Sequence, residues 1–156
     1  MATSYLDASL LSGERVLYRA KLHSIVLAPG MVFLGLAMLT LFASGGVALV
    51  FLFVGLLAEG IGYLMLTTSE FGLTDRRVLA KVGWLSRRSI ELLLNKVESV
   101  GVTQGIGGRL FDYGTVVLTG TGGTREPFKT IASPFEFRKR VQAQISLVQE
   151  GERRRT

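Results

Sequence analysis

The sequence predicts a two-helix transmembrane hairpin followed by a small antiparallel β-barrel or sandwich of roughly five to seven strands, closed by a C-terminal amphipathic helix. Three observations predict it. No charged residue falls within residues 24–58, apolar residues begin to alternate with polar ones after Glu70, and Ser133-Pro134-Phe135-Glu136 opens a helical stripe near the end.

The uncharged run is too long for one span and has a natural break at Gly45-Gly46. Residues 25–43 and 47–66 give two segments of 19 and 20 residues, each near the roughly 20 needed to cross a hydrocarbon core of about 30 Å. Backbone polar groups cannot stay unpaired in lipid, so each segment is expected to be helical, with a tight turn around the glycine pair.

All 18 Lys and Arg residues lie outside this hairpin. Arg15, Arg19 and Lys21 precede it, and Arg76, Arg77 and Lys81 follow it. Basic residues at span ends mark the cytoplasmic side, and two spans return the chain to the side it left. The expected location is therefore a cell inner or plasma membrane, multi-pass, with both termini cytoplasmic. A cleaved signal peptide fits poorly, because more than twenty mostly polar residues precede the apolar run and a second span follows it directly. Residues 1–23 then form a cytoplasmic N-terminal segment, 24–67 the hairpin, 68–148 a folded domain, and 149–156 a basic flexible tail. In the N-terminal segment Tyr5, Leu6, Leu10, Leu11 and Tyr18 suggest packing on the domain or beneath the membrane.

The 156 residues include no cysteine, which excludes disulfides and thiolate metal sites. From Thr68 onward there are 15 basic and 9 acidic residues, accounting for the whole net charge of +6. A basic domain held at a membrane faces an anionic leaflet, where each Lys or Arg gains about 1 kcal/mol. Membrane tethering makes nucleic acid the weaker partner, and none is expected.

After the hairpin, Phe71 to Thr74 reads as a short strand and Asp75-Arg76 as a tight turn. Val78, Ala80, Val82 and Trp84 then form one face of a strand, with Arg77, Lys81 and Gly83 on the other. Residues 87–94 and 97–103 follow as strands, with a kink at Asn95-Lys96. Residues 115–119 and 126–131 flank a hairpin turn in which Gly122-Gly123 can take positive φ. Pro127 demotes the last strand to an edge or a strand start. Ser133 as N-cap, Pro134 at the first helical position and Glu136 three residues after the cap form a capping box. Phe137, Val141, Ile145 and Val148 make the buried stripe of the helix that follows. Strands followed by one closing helix is the order of a pleckstrin-homology (PH)-like domain.

Four segments carry a family resemblance: Leu73-Thr-Asp-Arg-Arg-Val78, Leu92-Leu-Leu-Asn-Lys-Val-Glu-Ser-Val100, Gly108-Arg-Leu-Phe-Asp-Tyr-Gly-Thr115 and Phe128-Lys-Thr-Ile-Ala-Ser-Pro-Phe-Glu-Phe-Arg138. In this order, after a two-helix hairpin, they resemble the bacterial PH-like proteins known as membrane-flanked or YdbS-like domain proteins. The resemblance covers residues 71–145. It implies a PH-like barrel on a membrane anchor and brings no known chemistry with it.

Glu59 is the sharpest local oddity, a carboxylate about two turns from the cytoplasmic end of the second span. At bilayer depth such a group costs about 2.5–3.5 kcal/mol, less toward the interface. It is either an interhelical or intersubunit contact, or a snorkelling side chain near the headgroups. Reflection about Gly45-Gly46 sets it level with Val32 and maps His23 near Thr68, so its partner is expected to be another chain or water. Gly55, Gly60 and Gly62, with Gly35 in the first span, permit close helix approach within the hairpin or between copies. Arg76, Arg77, Arg87 and Arg88 form a basic rim for anionic lipid headgroups, or charged strand ends at a membrane surface. Arg153, Arg154 and Arg155 read as a solvated tail.

Gly105-Ile-Gly107-Gly-Arg-Leu lacks the third glycine of a dinucleotide-binding loop and is read as a bent connection. One juxtamembrane histidine and scattered carboxylates leave no catalytic, cofactor or metal set, so no enzyme activity and no cofactor is expected. The expected function is membrane-anchored binding or scaffolding, with a protein partner or a second copy of the chain. The alternatives are a structural or accessory subunit contacting a larger complex through its spans, and an anionic-lipid sensor.

Overall fold

The computed structural model describes residues 5–82 and 88–154. The chain divides into two units, one built from residues 1–22 and 69–156, the other from residues 23–68.

The first unit holds seven strands among its described residues, in two antiparallel sheets. One sheet has the order β1-β2-β3-β4, from β1 (Val16–Ala20), β2 (Glu70–Thr74), β3 (Arg77–Val82) and β4 (Arg88–Leu93). The other has the order β5-β6-β7, from β5 (Val97–Thr103), β6 (Tyr113–Gly120) and β7 (Arg125–Ala132). A short helix α1 (Tyr5–Ala8) precedes β1, the helix α4 (Ile106–Phe111) joins β5 to β6, and α5 (Pro134–Arg153) closes the chain. The kink expected at Asn95-Lys96 is a single 3-10 turn, Leu94–Lys96.

The N-terminal segment is not a separate piece. It supplies β1, whose Ala20 stands opposite Phe71 and whose Val16 stands opposite Thr74. With β1 in the first sheet, the helical segment 23–68 is an insertion between two neighbouring strands.

The two sheets and α5 enclose one apolar core. Phe71, Leu73, Val78 and Ala80 face Val116, Leu118, Phe128 and Ile131, with Phe137 and Val141 of α5 covering them. Phe71 and Phe128 meet edge to face at 6.0 Å, a favoured geometry for aromatic pairs. Ile145 and Val148 pack at the margin of this core, so the stripe expected for α5 is the one buried.

β3 departs from simple alternation, since Arg77, Val78, Leu79 and Ala80 are all buried. Its second face is covered too. Leu79 pairs with Gly72, and a Cβ on Gly72 would lie 2.7 Å from the Leu6 side chain. The N-terminal segment thus lies over the outside of this sheet, where an absent side chain makes room for Leu6. Gly83 and Trp84 fall outside the described residues.

β7 is an edge strand, which suits Pro127 because it has no N–H to donate. Gly122 and Gly123 take φ of 95° and 77° in the turn before it, a region closed to most side chains. The capping box does not form. Ser133 takes a positive φ of 48°, and its hydroxyl donates to the Asp112 carboxylate at 2.6 Å. Glu136 instead pairs with Arg140 at 2.7 Å. The tail expected from residue 149 continues as helix through Arg153, and Arg155 lies outside the described residues.

In the second unit, His23 caps a 3-10 turn, Ser24–Leu27, by accepting the Ile25 N–H at Nδ1. α2 (Ala28–Thr40) begins there, with Pro29 in its first turn, where proline's missing N–H costs nothing. The Thr40 hydroxyl donates back to the Leu36 carbonyl, and Ala43 and Ser44 donate to the Thr40 carbonyl. α3 (Gly45–Thr68) then runs for 24 residues. The expected spans at 25–43 and 47–66 are thus corrected at both ends of the turn, and Gly45-Gly46 opens α3 rather than forming the turn. Only α3 is long and apolar enough to cross a membrane by itself; Ser24–Thr40 is a shorter apolar helix.

Candidate functional site

The interface between α2 and α3 is built from small residues spaced seven apart. Gly30 and Ala37 are the buried residues of α2, and Ala48, Gly55 and Gly62 those of α3. A spacing of seven keeps them on one seam of a slowly coiling pair, and small side chains let apolar helices approach closely. A Cβ on Gly55 would meet the Leu34 side chain at 2.8 Å, and one on Gly62 the Val26 carbonyl oxygen at 3.0 Å. Gly55 and Gly62 are therefore consumed inside the hairpin. Gly60 and Gly35 have open space around them and lie off the seam.

Glu59 sits on this seam. A Cβ on Gly30 would come 2.6 Å from its side chain and 2.8 Å from its backbone nitrogen. Its level partner is therefore Gly30, not Val32, because the turn falls ahead of the glycine pair and moves the register two residues earlier. Glu59 is half-buried, and its carboxylate has no hydrogen-bond partner among the described residues. The heptad of small residues is legible in the sequence, where Ala48, Gly55 and Gly62 stand seven apart, but Gly60 beside them obscures it.

Most other side chains of the two helices face outward and are apolar. Met38, Leu49, Phe53 and Leu56 are all exposed, as is Phe42 in the turn between the helices. On a water-soluble protein a continuous apolar surface of this kind marks an interface.

The expected basic rim is not a single surface. Arg76 is exposed in the β2–β3 turn. Arg77 is buried and therefore withdrawn as a lipid contact. Its Nε and Nη2 donate to the two oxygens of Glu14 at 2.9 and 2.8 Å. Its Nη1 donates to Glu91 at 2.6 Å, and Nη2 also reaches the Ser9 carbonyl at 2.8 Å. Glu14 accepts the Leu11 N–H at 2.8 Å, and the Thr74 hydroxyl lies 2.8 Å from its other oxygen. The bidentate hydrogen bonds from Arg77 outweigh burial and hold the Glu14 carboxyl down at about 2, below its ordinary 4.5. The same pairing raises Arg77 above its usual value. This cluster fastens residues 9–14 to the start of β3. Arg87 and the Arg88 side chain lie outside the described part of the structure.

No group of three His, Cys, Asp or Glu side chains that could hold a metal ion occurs among the described residues. An open groove of about 370 Å³ runs between β5 and α5, lined by Glu98, Val100, Gln142, Ser146 and Gln149 among others. β5 is an edge strand of its sheet there, and a sheet edge is where an added strand can pair.

Two antiparallel sheets around one core, with a C-terminal helix packed across them, define a PH-like binding domain with a helical pair inserted after its first strand. The chain belongs to the bacterial PH domain family, whose model matches residues 22–145. No curated protein and no solved structure gives a match. PH domains are generally non-catalytic binding domains, which suggests a binding or scaffolding role for this one.

Proposed function

We propose that the protein is a membrane-anchored PH-like scaffold, in which the helical insertion spans a bacterial inner or plasma membrane and the two-sheet domain binds a partner at the cytoplasmic face. The observation that carries this reading is the outward apolar surface of α2 and α3, whose small residues are spent on each other. α3 is about 36 Å long at 1.5 Å per residue, enough for a hydrocarbon core of about 30 Å. Leu41, Phe42 and Ala43 lengthen the apolar reach of the shorter leg. Both ends of the insertion join neighbouring strands of one domain, which supports both termini on one side, and the flanking basic residues favour the cytoplasm for that side. Anchoring confines the domain to the surface and raises its effective concentration toward membrane partners. The groove between β5 and α5 supports a protein partner bound as an added strand.

Alkaline carbonate extraction tests the anchor. The full chain is expected to stay with the washed membrane, and a chain in which a short glycine-serine linker replaces residues 23–68 is expected in the soluble fraction. Release of the full chain by carbonate would overturn the reading.

The unpartnered carboxylate of Glu59 favours a second reading, a subunit that contacts a larger complex or another copy through its spans. Native mass spectrometry from nanodiscs separates the two. Glu59→Leu leaves any bound assembly intact if contacts are made by the domain, and dissociates it if they are made by the helices.

A further inference from the structure

Helix α4 has the polarity of a surface helix reversed. Its inner face is glycine: a Cβ on Gly108 would lie 2.5 Å from the Tyr113 carbonyl oxygen, and one on Gly107 3.1 Å from the Tyr113 hydroxyl. Asp112 closes the helix with a left-handed φ of 54°, so the turn lies flat against the start of β6. The large apolar side chains are left outside. Ile106 is 91 % exposed, Leu110 76 % and Phe111 54 %. Phe135, in the first turn of α5, is 55 % exposed and belongs to the same end of the domain, because Ser133 is tied to Asp112 by both backbone and side chain. Single exposed apolar residues are ordinary, but four gathered at one end of a domain mark a contact surface.

Two further observations choose the occupant. The first is position within the domain. Ala132 stands opposite Tyr113 and donates its N–H to the Lys21 carbonyl, while Leu22 bridges to Ile131. Residues 21–22, where the chain leaves the domain for the helical insertion, are therefore two strand spacings, roughly 10 Å, from the foot of α4. The second is charge. Lys21 and Arg109 are exposed at this end, and the acidic groups beside the patch are engaged, Asp112 by Ser133 and Glu136 by Arg140.

We infer that α4, with Phe135, seats in the headgroup and upper acyl region of an anionic bilayer, giving the domain a second foothold beside the root of its anchor. The inference rests on the helical insertion being a membrane anchor. The anchor alone does not fix which face of the domain meets the lipid. Apolar side chains at interfacial depth, ringed by Lys and Arg, fix which face it turns to the lipid and which to the cytoplasm.

The absence of cysteine allows a clean test. The full chain is reconstituted in vesicles of phosphatidylcholine and phosphatidylglycerol, carrying an environment-sensitive fluorophore on one introduced cysteine: Leu110→Cys, Leu57→Cys in α3, or Thr121→Cys in the turn at the opposite end of β6. A lipid spin-labelled near the headgroup is expected to remove about half the Leu110→Cys emission or more, with a blue shift, and to leave Thr121→Cys unchanged. The Leu57→Cys label responds to a spin label deep in the acyl chain if the insertion spans. Response at Leu57→Cys without response at Leu110→Cys keeps the anchor and overturns the foothold. Response at neither overturns both, and equal response at Leu110→Cys and Thr121→Cys overturns the oriented seating.

Discussion

Arg77 and Glu14 are 63 positions apart, yet each supplies half of the other's side-chain hydrogen bonds. Replacing Arg77 with Leu leaves the Glu14 carboxylate buried without its cation. Breaking such a pair costs about 3–5 kcal/mol, whereas Arg76→Leu in the exposed turn should stay within about 0.5 kcal/mol. Thermal unfolding of the two variants measures the difference. Acid sensitivity follows from the same contact. The folded Glu14 pKa is lowered, so its stabilisation is fully present above the ordinary 4.5 and is lost as pH falls toward about 2. Glu14→Gln should therefore lower stability near neutral pH by up to about 3 kcal/mol and flatten the acid limb between these values. Melts at closely spaced pH, compared with the parent, read out both effects. None of this was legible in the sequence, where Arg77 looked like half of an exposed Arg-Arg pair. A strand's period places its side chain on a face, but only the N-terminal segment folding over that face buries it.

At the scale of elements, the helical pair separates glycines the sequence could only group together. Gly62→Ala brings a Cβ to 3.0 Å from the Val26 carbonyl, and Gly30→Ala brings one to 2.8 Å from the Glu59 nitrogen. Both should push the helices apart and lower the melting temperature in detergent, at a cost of about 1–3 kcal/mol. Gly60→Ala and Gly35→Ala meet open space and should be neutral or slightly stabilising, because alanine is the better helix former. Helix α5 was legible because its stripe, from Phe137 through Val148, is a local periodicity that needs only one surface to lie on. Its start at Pro134 was legible too, but not its cap, since Ser133 is drawn by Asp112 into a left-handed conformation and turns its hydroxyl away from the helix. The α4 segment was misread for a similar reason. Its glycines mark a close approach to Tyr113, and that approach makes a helix possible where the composition suggests a bend.

At the scale of the whole molecule, the chain is one domain interrupted by a helical insertion. Replacing residues 23–68 with a linker on the order of six residues, each spanning up to about 3.5 Å, should preserve the fold, because β1 and β2 are already paired neighbours. Removing residues 1–22 should not, since it strips an edge strand, uncovers Leu79 and leaves Arg77 without Glu14. Circular dichroism and proteolysis of the two shortened chains distinguish these outcomes. The sequence by itself determined the apolar helical pair, the succession of strands from β2 to β7 and the closing helix, all of which follow from hydrophobic period and turn chemistry over short windows. Tertiary structure alone decided that the N-terminal segment completes the first sheet, that Arg77 is a buried clamp, that Glu59 lies over Gly30, and that α4 turns its apolar side outward. The physical reason is common to all four. Each depends on which surfaces meet across long separations in the chain, and a residue's own neighbours carry no record of that meeting.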